Sequence, residues 1–130
     1  SIAARWPTSR SASAPVPCQQ LDGHAFLTRE QGSGSREVVA AAFAEKGVEI
    51  DAAMALGSTE AIKSAVASGL GVAMVSRLAV ELELRLGVLV ELPLADLQVR
   101  RALHLVRPHE GASVPAVEPF VDSLREVLAR

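Results

Sequence analysis

The stretch MALGSTEAIKSAVASGLGVAMVSRLAVELELRLGVLVELPL, residues 54–94, decides the fold class. It opens inside an apolar run, IDAAMAL (50–56), that has the length of a strand and is broken by Gly57. STEAIKSAVASG (58–69) then switches to the helical period, with Ile62, Ala65 and Val66 on one side. Ser58 or Thr59 supplies an N-cap, and Gly69 and Gly71 end the helix. VAMVS (72–76) is apolar on both faces, as a strand covered on both sides must be. RLAVELELRLG (77–87) reads as a short helix stopping at Gly87, and VLVELPL (88–94) as a further extended segment.

The same alternation continues outward. Upstream, AFLTRE (25–30) reads as a strand, QGSGS (31–35) as a turn and REVVAAAFAEKG (36–47) as a helix. Val39, Phe43 and Lys46 share one side of that helix, flanked by Val38 and Ala42. Ser35 can cap it, Glu37 suits its first turn and Gly47 the position just past its end. Downstream, VRRALHLVRP (99–108) is extended and VPAVEPFVDSLREVLAR (114–130) helical, with Phe120, Leu124 and Val127 or Leu128 as its apolar face. Ser113 can cap an entry at Pro115. Pro119 is awkward inside a helix, so regular helix is expected to begin only there. Residues 1–17 are rich in Ser, Ala, Pro and Arg and follow neither period. They are expected to form an irregular arm, with Trp6 its one residue suited to docking. Residues 18–130 form one α/β unit. Strands alternating with helices imply right-handed crossovers and a mainly parallel sheet with helices on both faces.

Composition narrows the function classes. The chain has 130 residues, enough for one core. With 3% aromatic residues, that core is aliphatic and no base-stacking surface is available. Net charge is −2, and small basic clusters such as Arg100 and Arg101 are offset by acids, so this chain is not expected to bind DNA directly. Cys18 is the only cysteine and His24, His104 and His109 are scattered, so no disulfide, metal site or cofactor is expected. No apolar run reaches membrane-spanning length and no signal-peptide stretch is seen, which reads as a soluble cytoplasmic protein.

In an open sheet of this kind, ligands bind beyond the strand C-termini. Two strand-to-helix turns lie on that edge. In GSGSR (32–36), Gly32 and Gly34 allow close approach to backbone N–H groups, Ser33 and Ser35 add hydroxyls, and Arg36 adds a charged donor. In GST (57–59), Gly57 precedes the hydroxyls of Ser58 and Thr59 and the open amides of a helix start. Each alone is explained as well by an ordinary capped turn. Two on one edge favour an anion site. The spacing fits neither a P-loop nor the dinucleotide fingerprint. Thr28, Arg29 and Glu30 reach the cleft from the end of the first strand or face solvent. Asp51 and Glu60 make no acid/base pair, and no nucleophile stands beside a base, so no catalytic residue is assigned and an enzyme is not expected.

These motifs converge on a known family. FLTREQGSGSREVV (26–39) resembles the start of the second lobe in LysR-type effector-binding domains. The stretch 54–94, VRRALHLVRPHE and the closing helix resemble the later segments of that lobe, so the resemblance covers about residues 20–130. The GSGSR and GSTEAIK variants look closest to the CysL-like and CbbR-like branches, tied to sulfur or carbon assimilation. The resemblance implies a lobe like those of type 2 periplasmic binding proteins. It implies a small, anionic metabolite as effector, held by Ser33, Gly34, Ser35, Arg36, Gly57, Ser58 and Thr59. It implies self-association. It also implies that DNA is bound only through an N-terminal winged helix-turn-helix which, with the linker helix and most of the first lobe, has no counterpart here. Residues 1–17 depart from the family, where an inter-lobe strand is expected. A solute-binding lobe of a transport system is the alternative.

Overall fold

Phe26 and Leu27 set the layering. Neighbouring residues of a strand point to opposite faces, and both of these are buried. Phe26 joins a core with Phe43, Val48, Val72 and Leu92. Leu27 joins a separate core with Ile62, Val66, Ala73, Val80 and Leu89. The sheet therefore lies between two apolar layers.

The computed structural model describes residues 2–4 (backbone only), 14–106 and 114–129. The elements are β1 (Ile2–Ala4), a 3-10 turn (Cys18–Leu21), β2 (Phe26–Arg29), α1 (Gly34–Ala44), β3 (Ala52–Leu56), α2 (Thr59–Ala67), β4 (Val72–Met74), α3 (Arg77–Arg85), β5 (Val90–Leu92) and α4 (Val117–Leu128). The sheet order is β3-β2-β4-β1-β5. β2 pairs in parallel with β3 and β4, whereas β1 runs antiparallel between β4 and β5. The expected parallel sheet with helices on both faces is present: Phe43 of α1 lies in one core, Ile62 and Val66 of α2 and Val80 of α3 in the other.

Four expectations need correction. Ile2–Ala4, read as irregular, is an inner strand, registered with Val72–Met74 on one side and Val90–Leu92 on the other. Three residues are too few for a period to register, and the strand is fixed by two ladders formed with residues about seventy and ninety positions away. The expected departure of residues 1–17 from regular structure therefore does not hold for Ile2–Ala4. Val16 also makes a parallel bridge to Leu94; residues 5–13, with Trp6, lie outside the described residues.

Residues 99–106, read as a strand, form none, and positions 107 and 108 lie outside the described residues. A strand needs a ladder, and among the described residues none pairs with this segment, whose Leu103, Leu105 and Val106 are exposed. α4 begins at Val117 with Ala116 as its cap residue, not at Pro119, while Ser113 lies outside the described residues. Pro119 falls in the first turn, where its missing N–H costs no intrahelical bond. Val121 is buried and Leu124 half-buried, whereas Phe120, Val127 and Leu128 are exposed, so of the expected apolar face only Leu124 turns inward.

Two polar devices lock the layers. Lys63 Nζ on α2 meets Glu60 Oε1 at 2.8 Å, Glu83 Oε1 of α3 at 2.7 Å and the Ala79 carbonyl at 3.1 Å, which uses all three ammonium donors. The bonds to Glu60 and Glu83 raise the Lys63 pKa, and Lys63 lowers that of Glu83. Asp96 ties the lead-in to the exit of β5: Cys18 N donates to Oδ1 at 2.8 Å and Cys18 Sγ to Oδ2 at 3.2 Å. The backbone bond from Cys18, first, and then its thiol hold the Asp96 carboxyl below its ordinary value. A lowered folded-state pKa stabilises above the unfolded pKa of about 4 and is lost as pH falls through the folded value. Asp96→Asn should therefore flatten the loss of melting temperature between pH 7 and pH 3; thermal melts that fall in parallel with wild type would contradict this.

Candidate functional site

β2 and β3 end flush, with Arg29 opposite Leu56, so their exit turns start on adjacent strands about 4.8 Å apart. α1 and α2 then leave to opposite faces of the sheet. The edge is flanked by a helix N-terminus on each face.

On the first side, Ser33 N donates to the Glu30 carbonyl at 3.2 Å, closing a turn whose third residue, Gly32, has φ +85°. That conformation is why the turn needs glycine. Ser33, not Ser35, is the cap residue of α1, and it makes no side-chain cap bond. The first intrahelical bond is Glu37 N to Ser33 O, so the amides of Gly34, Ser35 and Arg36 lie ahead of it. The Ser35 hydroxyl instead accepts from Arg101 Nη1 at 2.7 Å. Arg36 turns back to the end of β2, where its Nη1 donates to the Arg29 carbonyl at 3.2 Å.

On the second side the expected cap is present. Ser58 Oγ accepts from Ala61 N at 3.1 Å, and Ile62 N reaches Ser58 O at 3.2 Å, which leaves the Thr59 and Glu60 amides ahead of the first intrahelical bond. Neither Gly34 nor Gly57 has a positive φ, and an added Cβ at either would meet nothing within 4 Å. The backbone itself does not require glycine there.

Between α1 and the sheet, at this same edge, lies a hollow of about 90 Å³ lined by Thr28, Arg29, Ser35, Arg36, Val39 and Met74. Thr28 Oγ1 is buried there without a hydrogen-bond partner among the described residues. Arg29 and Glu30 form a two-bond pair, Nε to Oε2 at 2.9 Å and Nη2 to Oε1 at 2.7 Å. That bond is the main cause holding the Glu30 carboxyl down at about 2. The structure thus gathers Ser33–Arg36 with Thr28 on one side and Gly57–Thr59 on the other. Sequence reasoning missed Arg101, which comes from a segment 66 positions away whose strand-like pattern does not say where it travels. A larger hollow of about 300 Å³ lies at the opposite end of β2 and β3, around His24, Glu49 and Asp51, where no helix begins.

The fold defines a class: an α/β sheet with a helix N-terminus on each face of one edge. The sequence matches the LysR substrate binding domain over residues 4–129, and the chain belongs to that family. It is 35% identical over 116 residues to the HTH-type transcriptional regulator YeiE of Escherichia coli K12, covering 89% of this chain and 40% of that protein. It is 36% identical over 115 residues to the RuBisCO operon transcriptional regulator of Allochromatium vinosum, covering 88% and 38%. It is 34% identical over 105 residues to CbbR of Rhodospirillum rubrum, covering 81% and 35%. The regulatory domain of Synechocystis CcmR in complex with 2-PG superposes with a TM-score of 0.78 at 25% identity, covering 97% of this chain and 61% of that one. The chain thus spans about 40% of the length of the relatives it matches. These relatives are transcription regulators and not transporters, which decides against the transport alternative and agrees with the CbbR-like branch. No helix among the described residues is long and apolar enough to cross a membrane.

Proposed function

We propose that residues 18–130 form the second lobe of the effector-binding domain of a cytoplasmic LysR-type transcription regulator, a sensor and not an enzyme. In this reading the lobe holds a small anion of the 2-PG (2-phosphoglycolate) kind. Ser33, Gly34, Ser35, Arg36, Gly57, Ser58 and Thr59 contribute amides, hydroxyls and one guanidinium. The observation that carries the reading is the pair of helix N-termini flush on adjacent strands, since the positive ends of two helices favour negative charge at one place. The CcmR complex supports the ligand class. In the whole regulator a first lobe closes the cleft, ligand binding shifts the lobe angle, and a separate winged helix-turn-helix reads DNA. The ligand must favour one arrangement to shift anything.

With one wall of the cleft, this chain should bind 2-PG with a dissociation constant on the order of millimolar. Titration followed by amide chemical shifts is the test. Ser58→Ala combined with Thr59→Val should weaken binding by about tenfold, the worth of one or two hydrogen bonds to a charged group. Unchanged affinity would refute the assignment of these two residues. Loss of the Ser58 cap also costs about 1 kcal/mol of stability, so the comparison belongs well below the melting transition.

A further inference from the structure

The end of β2 carries a charge arrangement that neither the turn motifs nor the family match assigns. Arg29 closes the strand between the two turns. Its carbonyl accepts from Arg36, and the next amide, Glu30 N, donates to the Leu56 carbonyl at 3.1 Å. Leu27 packs with Ile62 and Val66 of α2, so two-residue alternation sends the Arg29 side chain to the face on which α2 starts. The fork of its guanidinium is filled side-on by the carboxylate next door, at 2.9 and 2.7 Å. This is the geometry in which arginine takes the paired oxygens of a carboxylate or phosphate.

We infer that Arg29 is a charge partner for the anionic ligand, and that Glu30 is a built-in stand-in occupying its fork until a ligand oxyanion replaces it. The inference rests on the anion-site reading above and names a residue that reading does not use. Two helix N-termini favour negative charge at this edge, and the Glu30 carboxylate already fills the Arg29 fork, so ligand and Glu30 compete for that fork. The exchange is within reach because the pair is open to solvent, at 28% and 47% side-chain exposure, and so holds as a surface ion pair does. Glu30 is fully ionised at neutral pH, so the competition does not depend on a proton. Glu30 also closes the Glu30–Ser33 turn through its carbonyl, so its displacement acts on the segment that leads into α1.

The test is a 2-PG titration of the whole 130-residue chain followed by amide shifts, for wild type, Glu30→Gln and Arg29→Gln. Glu30→Gln should bind more tightly by about two- to fivefold, the worth of an exposed ion pair. Arg29→Gln should bind about tenfold more weakly. In wild type, saturation with 2-PG should raise the Glu30 carboxyl midpoint, read from its side-chain carbon, from about 2 toward the ordinary carboxylate range. A gain of affinity on removing a charge is a result that a merely structural pair does not give. Equal or weaker binding by Glu30→Gln, with wild type still sensitive to Ser58→Ala and Thr59→Val, overturns the stand-in and leaves the site standing. No perturbation of wild type at tens of millimolar 2-PG overturns both. Should Arg29→Gln fail to fold, Glu30→Gln and the carboxyl midpoint decide alone.

Discussion

Gly71→Ala should cost about 3 kcal/mol or more, a loss that takes up much of the roughly 5–15 kcal/mol available to a domain. A Cβ at Gly71 would lie 2.2 Å from the Ala25 carbonyl oxygen and 3.1 Å from its carbon. That oxygen already accepts the Val72 amide at 2.9 Å in the approach to the β2–β4 ladder. The obstacle is backbone, which has no rotamer to turn aside, so relief requires parting the two strands. Urea denaturation should show a lower midpoint with an unchanged slope. Gly57→Ala is the matched control, because a Cβ there meets nothing within 4 Å and φ is not positive. Gly69→Ala lies between them. Its Cβ has room, but φ is +81°, which costs about 1–2 kcal/mol for a residue with a side chain. The order Gly71, Gly69, Gly57 separates steric from conformational cost, and a Gly71→Ala protein as stable as wild type would show that β2 and β4 are not held this close.

The contrast among these glycines marks how far the sequence could be read. Glycines that end helices follow a local rule, and Gly47, Gly69 and Gly87 all have the positive φ expected of them. Gly71 reads as one more terminator, yet its job is contact with a strand 46 positions earlier. The repeating units from β2 to β5 were legible because each is built from short-range periods. β1 was not, because three residues carry no period and its partners are distant. The site divides the same way. Ser58 as a cap is a local fact, and the structure has it. The shift of the first cap from Ser35 to Ser33 follows from the Glu30–Ser33 turn, which positions α1 two residues earlier than the apolar pattern alone does. The reach of Arg101 to Ser35 depends on where the chain travels after β5, and no periodicity encodes that.

That last segment also bears on association. An extended run with Leu103, Leu105 and Val106 outward, followed by a helix with Phe120, Val127 and Leu128 outward, is a costly surface to leave in water. The sequence pattern explains it. VRRALHLVRP reads as a strand and the closing helix is amphipathic, so both are shaped to be covered, yet the described residues supply no ladder for the first and cover only Val121 and part of Leu124 on the second. The matched relatives are longer, with only about 40% of their length represented here, and the regulatory domain of CcmR extends well beyond the part that superposes. In the longer protein, a first lobe is the occupant we propose. For this chain alone we propose a second copy in its place, so the 130-residue protein should self-associate at micromolar concentration. Leu105→Glu together with Phe120→Glu should weaken that association by about a hundredfold or more, since burial of two such side chains is worth about 3–6 kcal/mol. Both positions are exposed in the monomer, with Phe120 at 63%, so the fold should survive the change, and an unaltered thermal melt is the control. Sedimentation velocity across a concentration series reads the outcome. A wild-type chain that sediments as a monomer at hundreds of micromolar would mean that the face stays wet, and the case for a covering lobe would then have to rest on the family match alone.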